Sequence, residues 1–151
     1  MIIDAHTHIF PDTQAAVFLK NTEEMFNVKT YGLATESDLI LKMDENQISH
    51  SVIHMVAPYP SGVTETNTWL INLNQPRFIK FGTVHPGFKD FKNEIKRLKN
   101  NNICGVKFQP DIQRFFPDDK ELTYGLYEEL AKSGMKVMFH IGGEPLPSAK
   151  D

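Results

Sequence analysis

Two observations predict an α/β fold with a parallel sheet and crossover helices. Runs that read as strands alternate with runs that read as helices, in the order β, α, β, α, β, α, β, α, β. The strand runs are also short and largely apolar, as expected of a sheet covered on both faces. With 151 residues, the chain has the usual size of one domain and is long enough to bury a core.

The first strand is Met1-Ile2-Ile3-Asp4-Ala5-His6-Thr7-His8-Ile9-Phe10, an apolar, β-prone run. Alternation on a strand places Asp4, His6 and His8 on one face and Ile3, Ala5, Thr7 and Ile9 on the other. Pro11-Asp12 breaks the run, and residues 13–34 read as a long connection with one helical piece around residues 14–20. Connections of that length often shape a site. Thr35-Glu36-Ser37-Asp38 resembles a capping box opening a helix to about residue 47, with Leu39, Ile40 and Met43 as its apolar stripe. Residues 50–57 form the second strand, closed by Pro58 and Pro60, and residues 61–74 the next helix, stopped by Gln75-Pro76.

Residues 77–85 are the third strand, ended by Pro86-Gly87, and the helix over residues 88–100 carries Phe91, Ile95 and Leu98. Asn100-Asn101-Asn102 is a turn signal before a fourth strand at residues 103–109. Residues 110–117 read as a loop. Asp118-Asp119-Lys120-Glu121 then caps a helix bearing Leu122, Leu126 and Leu130, which stops at Ser133-Gly134. The fifth strand spans residues 135–141, and Gly142-Gly143 turns the chain out into Glu144-Pro145-Leu146-Pro147.

Composition narrows the function classes. A net charge of −3 and a pI near 6.1 give no electrostatic case for nucleic acid or an anionic membrane. Lys89, Lys92, Lys96, Arg97 and Lys99 alternate with apolar residues at helical spacing and read as a solvated helix face. No apolar run reaches the length of a membrane span. Asp4 interrupts the N-terminus without a basic start, so a cytoplasmic protein is expected. The one cysteine, Cys104, has no intrachain partner and no zinc-finger spacing; it reads as a small apolar residue at a strand start.

The ionisable residues fall at strand ends. Loops leaving the C-terminal ends of parallel strands form the active face of such folds. His6 and His8 end strand 1, His85 ends strand 3, Lys107 and Gln109 end strand 4, and His140 ends strand 5. Imidazoles at positions i and i+2 of a strand can reach one zinc-like ion at ~2.0 to 2.1 Å. The alternative is two surface histidines on a frayed terminus. His140 follows the apolar run Val137-Met138-Phe139 and would stand opposite the His6/His8 pair in a curled sheet, as a metal ligand or as a core histidine bonded to a carbonyl. His50 reads as a surface residue before its strand, and His54 as packed or outward-facing. His85 lines the pocket or closes a turn. Lys107 contacts a substrate carboxylate or oxyanion, bridges two metals as a carbamate, or pairs with Asp4.

These residues resemble the amidohydrolase superfamily, in its amidohydrolase-2 branch of barrel-type metal-dependent hydrolases and decarboxylases. The likeness runs through Ile3-Asp4-Ala5-His6-Thr7-His8, Met43-Asp44-Glu45-Asn46-Gln47-Ile48 and Phe81-Gly82-Thr83-Val84-His85-Pro86. It continues through Gly105-Val106-Lys107-Phe108-Gln109-Pro110, Phe116-Pro117-Asp118-Asp119 and Phe139-His140-Ile141-Gly142. The resemblance implies a (β/α)8 barrel and a divalent cation, zinc first and manganese as the alternative, held by His6, His8 and His140. Such a cation would lower the pKa of a bound water to about 7 for attack on a small amide, lactone or related carbonyl. In decarboxylase members the ion orients a carboxylate substrate. Lys107, Arg114 and His85 are the candidate substrate contacts. Phosphoesterases of the polymerase-and-histidinol-phosphatase type also open with D-x-H-x-H, but the second strand lacks their further acidic-histidine cluster. TatD-like nucleases would place a glutamate where Lys107 stands.

The chain departs from the family pattern at its end. Strands 6 to 8, with a histidine and the aspartate that shuttles protons, would lie beyond Asp151, so the catalytic residue itself is not assignable. The expectation is the N-terminal part of one metal-dependent hydrolase barrel over residues 1–151, an incomplete (β/α)8 fold of about five strands. A missing C-terminal polypeptide or a second copy would complete it around a small-molecule substrate. The competing expectation is a catalytically silent assembly or binding module.

Overall fold

The five strand runs become five parallel strands in one sheet, ordered as in the sequence. This computed structural model describes residues 1–142; the turn expected at Gly143 and the segment after it lie outside the described residues. The strands are β1 (Ile3–Thr7), β2 (His50–His54), β3 (Phe78–Thr83), β4 (Gly105–Phe108) and β5 (Lys136–Phe139). The helices are α1 (Asp12–Phe26), α2 (Glu36–Glu45), α3 (Val63–Asn72), α4 (Phe91–Asn100), α5 (Pro110–Gln113) and α6 (Lys120–Ser133). The fold class is α/β, five parallel strands with helices between them, an incomplete (β/α)8-type barrel. The chain divides into two compact units, one of Met1–Ile53 with Pro76–Ile79 and one of His54–Gln75 with Lys80 onward.

In the first unit β1 pairs with β2 through Ile3↔His50, Asp4↔Ser51 and Thr7↔Ile53. The register slips between Asp4 and Thr7, an irregularity of the kind that re-aims a side chain beside a site. The Thr7 hydroxyl secures the upper part by donating to the Val52 carbonyl at 2.9 Å. Ile9, Ala15, Met43, Ile53 and Phe78 are buried here. The start of α2 follows its sequence: the Thr35 hydroxyl accepts from the Asp38 N–H at 3.3 Å. The Asp38 carboxylate does not reach back to Thr35 as in a full capping box; it accepts from the Leu33 N–H at 2.6 Å.

Helix α1 is longer than expected, 15 residues in place of a short piece. Good helix formers (Ala15, Ala16, Leu19, Glu23, Glu24) sustain it. Its apolar stripe is irregular, with Val17 and Phe18 exposed and only Ala15 buried, which is why the pattern showed only part of it.

In the second unit β4 pairs with β3 (Phe81↔Gly105, Gly82↔Val106, Thr83↔Lys107) and with β5 (Gly105↔Lys136 through Phe108↔Phe139). Leu70, Ile95, Leu98, Val106, Phe108, Leu126 and Leu130 are buried between sheet and helices. Lys92, Lys96 and Lys99 of the basic segment lie on the exposed side of α4, which buries Ile95 and Leu98 on the other. Gly105 has no room for a side chain: a Cβ there would collide with the Lys136 carbonyl oxygen and lie 2.6 Å from the Phe81 ring. Asp119 caps α6 by accepting from the Leu122 N–H at 3.1 Å, and Gly134 ends it at φ 66°. Cys104 precedes β4 and is exposed, so it does not serve as a packed residue.

Strand β5 was expected to be buried, but Val137 is 41% exposed and Lys136 is exposed as well. The apolar composition is the same as in a central strand; the position is not, because β5 is last in the sheet order among the described residues.

Candidate active site

The opening strand delivers its two histidines to one point. His6 lies in β1 and His8 one residue beyond it, and their Nε2 atoms are 3.1 Å apart with ring centroids at 5.0 Å. Both rings are exposed. Two nitrogens bound tetrahedrally to one zinc would be about 3.3 Å apart, so this pair fits a shared cation. The local backbone supports the arrangement, since the Asp4 carboxylate accepts from the His6 N–H at 3.1 Å. Among the described residues, no group of three or more His, Cys, Asp or Glu side chains forms a ready metal cluster; the fit is carried by the imidazole pair.

His140 follows β5 in the second unit, its N–H donating to the Phe108 carbonyl at 2.9 Å. Lys107 occupies the middle of β4 and is 1% exposed. Arg114 is exposed and adopts φ 54°, ψ 56° at the end of α5. His85 sits in the turn after β3, where Nδ1 accepts from the Gly87 N–H at 3.0 Å. That bond leaves the proton on Nε2 in the neutral ring. Burial lowers the His85 pKa, partly offset by a hydrogen bond with the Gln113 backbone. His54, expected to be packed or outward, is fully buried with its ring 5.3 Å from that of Phe81. His50 is the first residue of β2 and half-buried, not a surface residue before the strand, and among the described residues its buried Nδ1 has no hydrogen-bond partner.

Sequence reading missed two polar groups. Gln113 stands in the segment read as loop, yet it is 1% exposed. Its Nε2 donates to the Ala57 and Val84 carbonyls at 3.1 and 3.2 Å, and its Oε1 accepts from the Gln109 N–H at 3.0 Å. Asn67, fully buried on α3, accepts from the Thr83 N–H at 2.9 Å. It donates to the Thr83 carbonyl at 2.8 Å and to Glu94 at 2.7 Å. Glu94 in turn pairs with Arg97 at 2.7 Å. Neither carries a local sequence signal: Asn67 stands between Thr66 and Thr68, and Gln113 between Ile112 and Arg114.

Sequential parallel strands joined by helices, with an H-x-H motif leaving the first of them, define a β/α barrel-type architecture. The amidohydrolase family model matches residues 3–150, and the chain belongs to that family, in its amidohydrolase-2 branch. A solved structure described as amidohydrolase II aligns over all of this chain and 54% of its own, at 20% identity and a TM-score of 0.73. One described as a probable 2-pyrone-4,6-dicarboxylic acid hydrolase from Acinetobacter baumannii, with citric acid bound, aligns over 93% of this chain and 49% of its own (20% identity, TM-score 0.59). A 4-oxalomesaconate hydratase from Rhodopseudomonas palustris aligns over 93% and 52% (19% identity, TM-score 0.61). At these identities the likeness establishes the fold. The chain spans about half the length of the structures it matches. No curated protein sequence matches it. Among the described residues no helix is long and apolar enough to cross a membrane.

Proposed function

We propose that the chain is the N-terminal part of a metal-dependent hydrolase that opens a small lactone, amide or related carbonyl substrate bearing carboxylates. The observation that carries this reading is the 3.1 Å approach of the His6 and His8 Nε2 atoms in a member of the amidohydrolase family. His6, His8 and His140 would hold the divalent cation, zinc or manganese. When bound, that cation supplies Lewis acidity and a water nucleophile usable near neutral pH. Asp4 orients His6 through the backbone. Lys107 and Arg114 offer positive charge to substrate carboxylates, and His85, neutral and tied into its turn, shapes the mouth.

The substrate class draws on the neighbours, which include a pyrone dicarboxylate hydrolase and an oxalomesaconate hydratase by description. A cytoplasmic location is part of the proposal, as is a partner, since a barrel of eight strands needs three more than the five described. A polypeptide following this one, or a second copy of it, would supply them. The half-length match also favours a second reading, a silent chain that acts only in assembly.

Metal analysis by mass spectrometry, paired with turnover of 2-pyrone-4,6-dicarboxylate by the chain with its completing polypeptide, tests the first reading. Bound metal and activity, both abolished in His6→Ala, are expected. Turnover unchanged in that variant refutes it.

A further inference from the structure

We infer that Gln113 is a positioning residue that sets the rim of the site and, through Arg114, its selectivity for carboxylated ligands. One side chain reaches three consecutive strand ends. Its amide donors go to the carbonyls of Ala57 and Val84, beyond the ends of β2 and β3, and its oxygen takes the N–H of Gln109, one residue beyond β4. These backbone groups lie past the strand ladders, where buried carbonyls and amides need other partners. Loops that leave these ends build the site in parallel β/α folds.

The same clamp fixes where Arg114 stands. Gln113 and Phe115 on either side of it are 1% and 4% exposed. The Phe115 N–H closes onto the Pro110 carbonyl at 3.1 Å. With both neighbours anchored inward across a turn this tight, the residue between them is driven outward, and Arg114 does so at φ 54°. Left-handed backbone is less favourable for any residue with a Cβ than for glycine, and such conformations persist where surroundings over-determine them. Gln113 is that determinant. The result is an exposed arginine directly after the residue that ties the three strand ends together, and a guanidinium is suited to bidentate recognition of a carboxylate.

The hydrolase reading supplies only the ligand's class, so the test separates the two. Citrate is titrated calorimetrically into wild type, Gln113→Ala, Arg114→Ala and the double variant, each incubated with zinc and freed of the unbound ion, with zinc content measured on each sample. Expected are losses of about tenfold or more in citrate affinity for both single variants, with little further loss in the double, since displacement of a binding group by about an ångström has effects of this order. Zinc content should not change. Where Gln113→Ala fails to fold, Gln113→Glu is used; it keeps the acceptor, replaces both donors by a carboxylate and is expected to weaken citrate binding likewise. Wild-type affinity in a folded Gln113 variant, additive losses in the double, or no citrate binding by the wild type would each overturn the assignment. Absence of zinc from the wild type with the coupled citrate losses intact would instead sink the hydrolase reading and leave Gln113 in its role.

Discussion

The imidazole pair at the start of the chain and the amide network between α3, α4 and β3 use polar groups in opposite ways. His6 and His8 are exposed and aim their Nε2 atoms at one another. Asn67 and Glu94 are buried, with Asn67 spending its carboxamide on three partners and Glu94 paired with Arg97. A buried polar group stabilises the fold only when its bonds are complete. An exposed imidazole pair at hydrogen-bond distance keeps its contact with solvent and contributes little to the fold by itself. The difference separates polar residues that build the fold from the exposed pair at which metal binding is proposed.

The sharpest way to break that distinction is to cut the network. Asn67→Ala strands the Thr83 backbone groups and part of the Glu94 carboxylate in the interior and should cost about 3 kcal/mol, read from denaturant midpoints. If the loss were under about 0.5 kcal/mol, the network would not be architectural. His8→Ala should reverse the pattern: zinc affinity falls by about 100-fold or more, measured by competition with a chelator, while metal-free stability changes by no more than about 0.5 kcal/mol. A smaller, local effect is expected at α2, where Thr35→Ala removes the hydroxyl that caps Asp38 and should lower stability by about 1 kcal/mol.

The mildest test is a slope. Burial holds the His85 pKa below its ordinary 6.5, so the fold prefers the neutral ring. Its contribution is complete above that value and is lost as pH falls through the folded-state pKa. Denaturation midpoints followed downward from neutral pH should therefore decline less steeply in His85→Gln than in wild type; parallel curves would show that His85 is not a linked group.

Much of this arrangement is legible in the residues. Apolar runs between Pro and Gly breaks gave the strands, and the alternating faces around Asp4, His6 and His8 anticipated the meeting of the two rings despite the slipped register of β1. What escaped has physical reasons. Helix α5 has four residues, too few to show a period. Gln113 and Asn67 bond to backbone groups distant in sequence, 29 to 56 residues away for the Gln113 carbonyls and 16 for Thr83, and no local pattern announces such partners. Strand β5 misled because Val137-Met138-Phe139 has the composition of a central strand, while exposure follows from what lies next to it.

Gly105 carries a consequence for the last histidine. Because its bare α-carbon alone lets β5 draw up against β4, the pairing that starts at Lys136 runs in step to Phe139 and delivers His140 at a fixed height. A single methyl group placed at the foot of that seam would pry the strands apart at their first rung. The last imidazole thus owes its station to a hydrogen atom at the opposite end of the ladder.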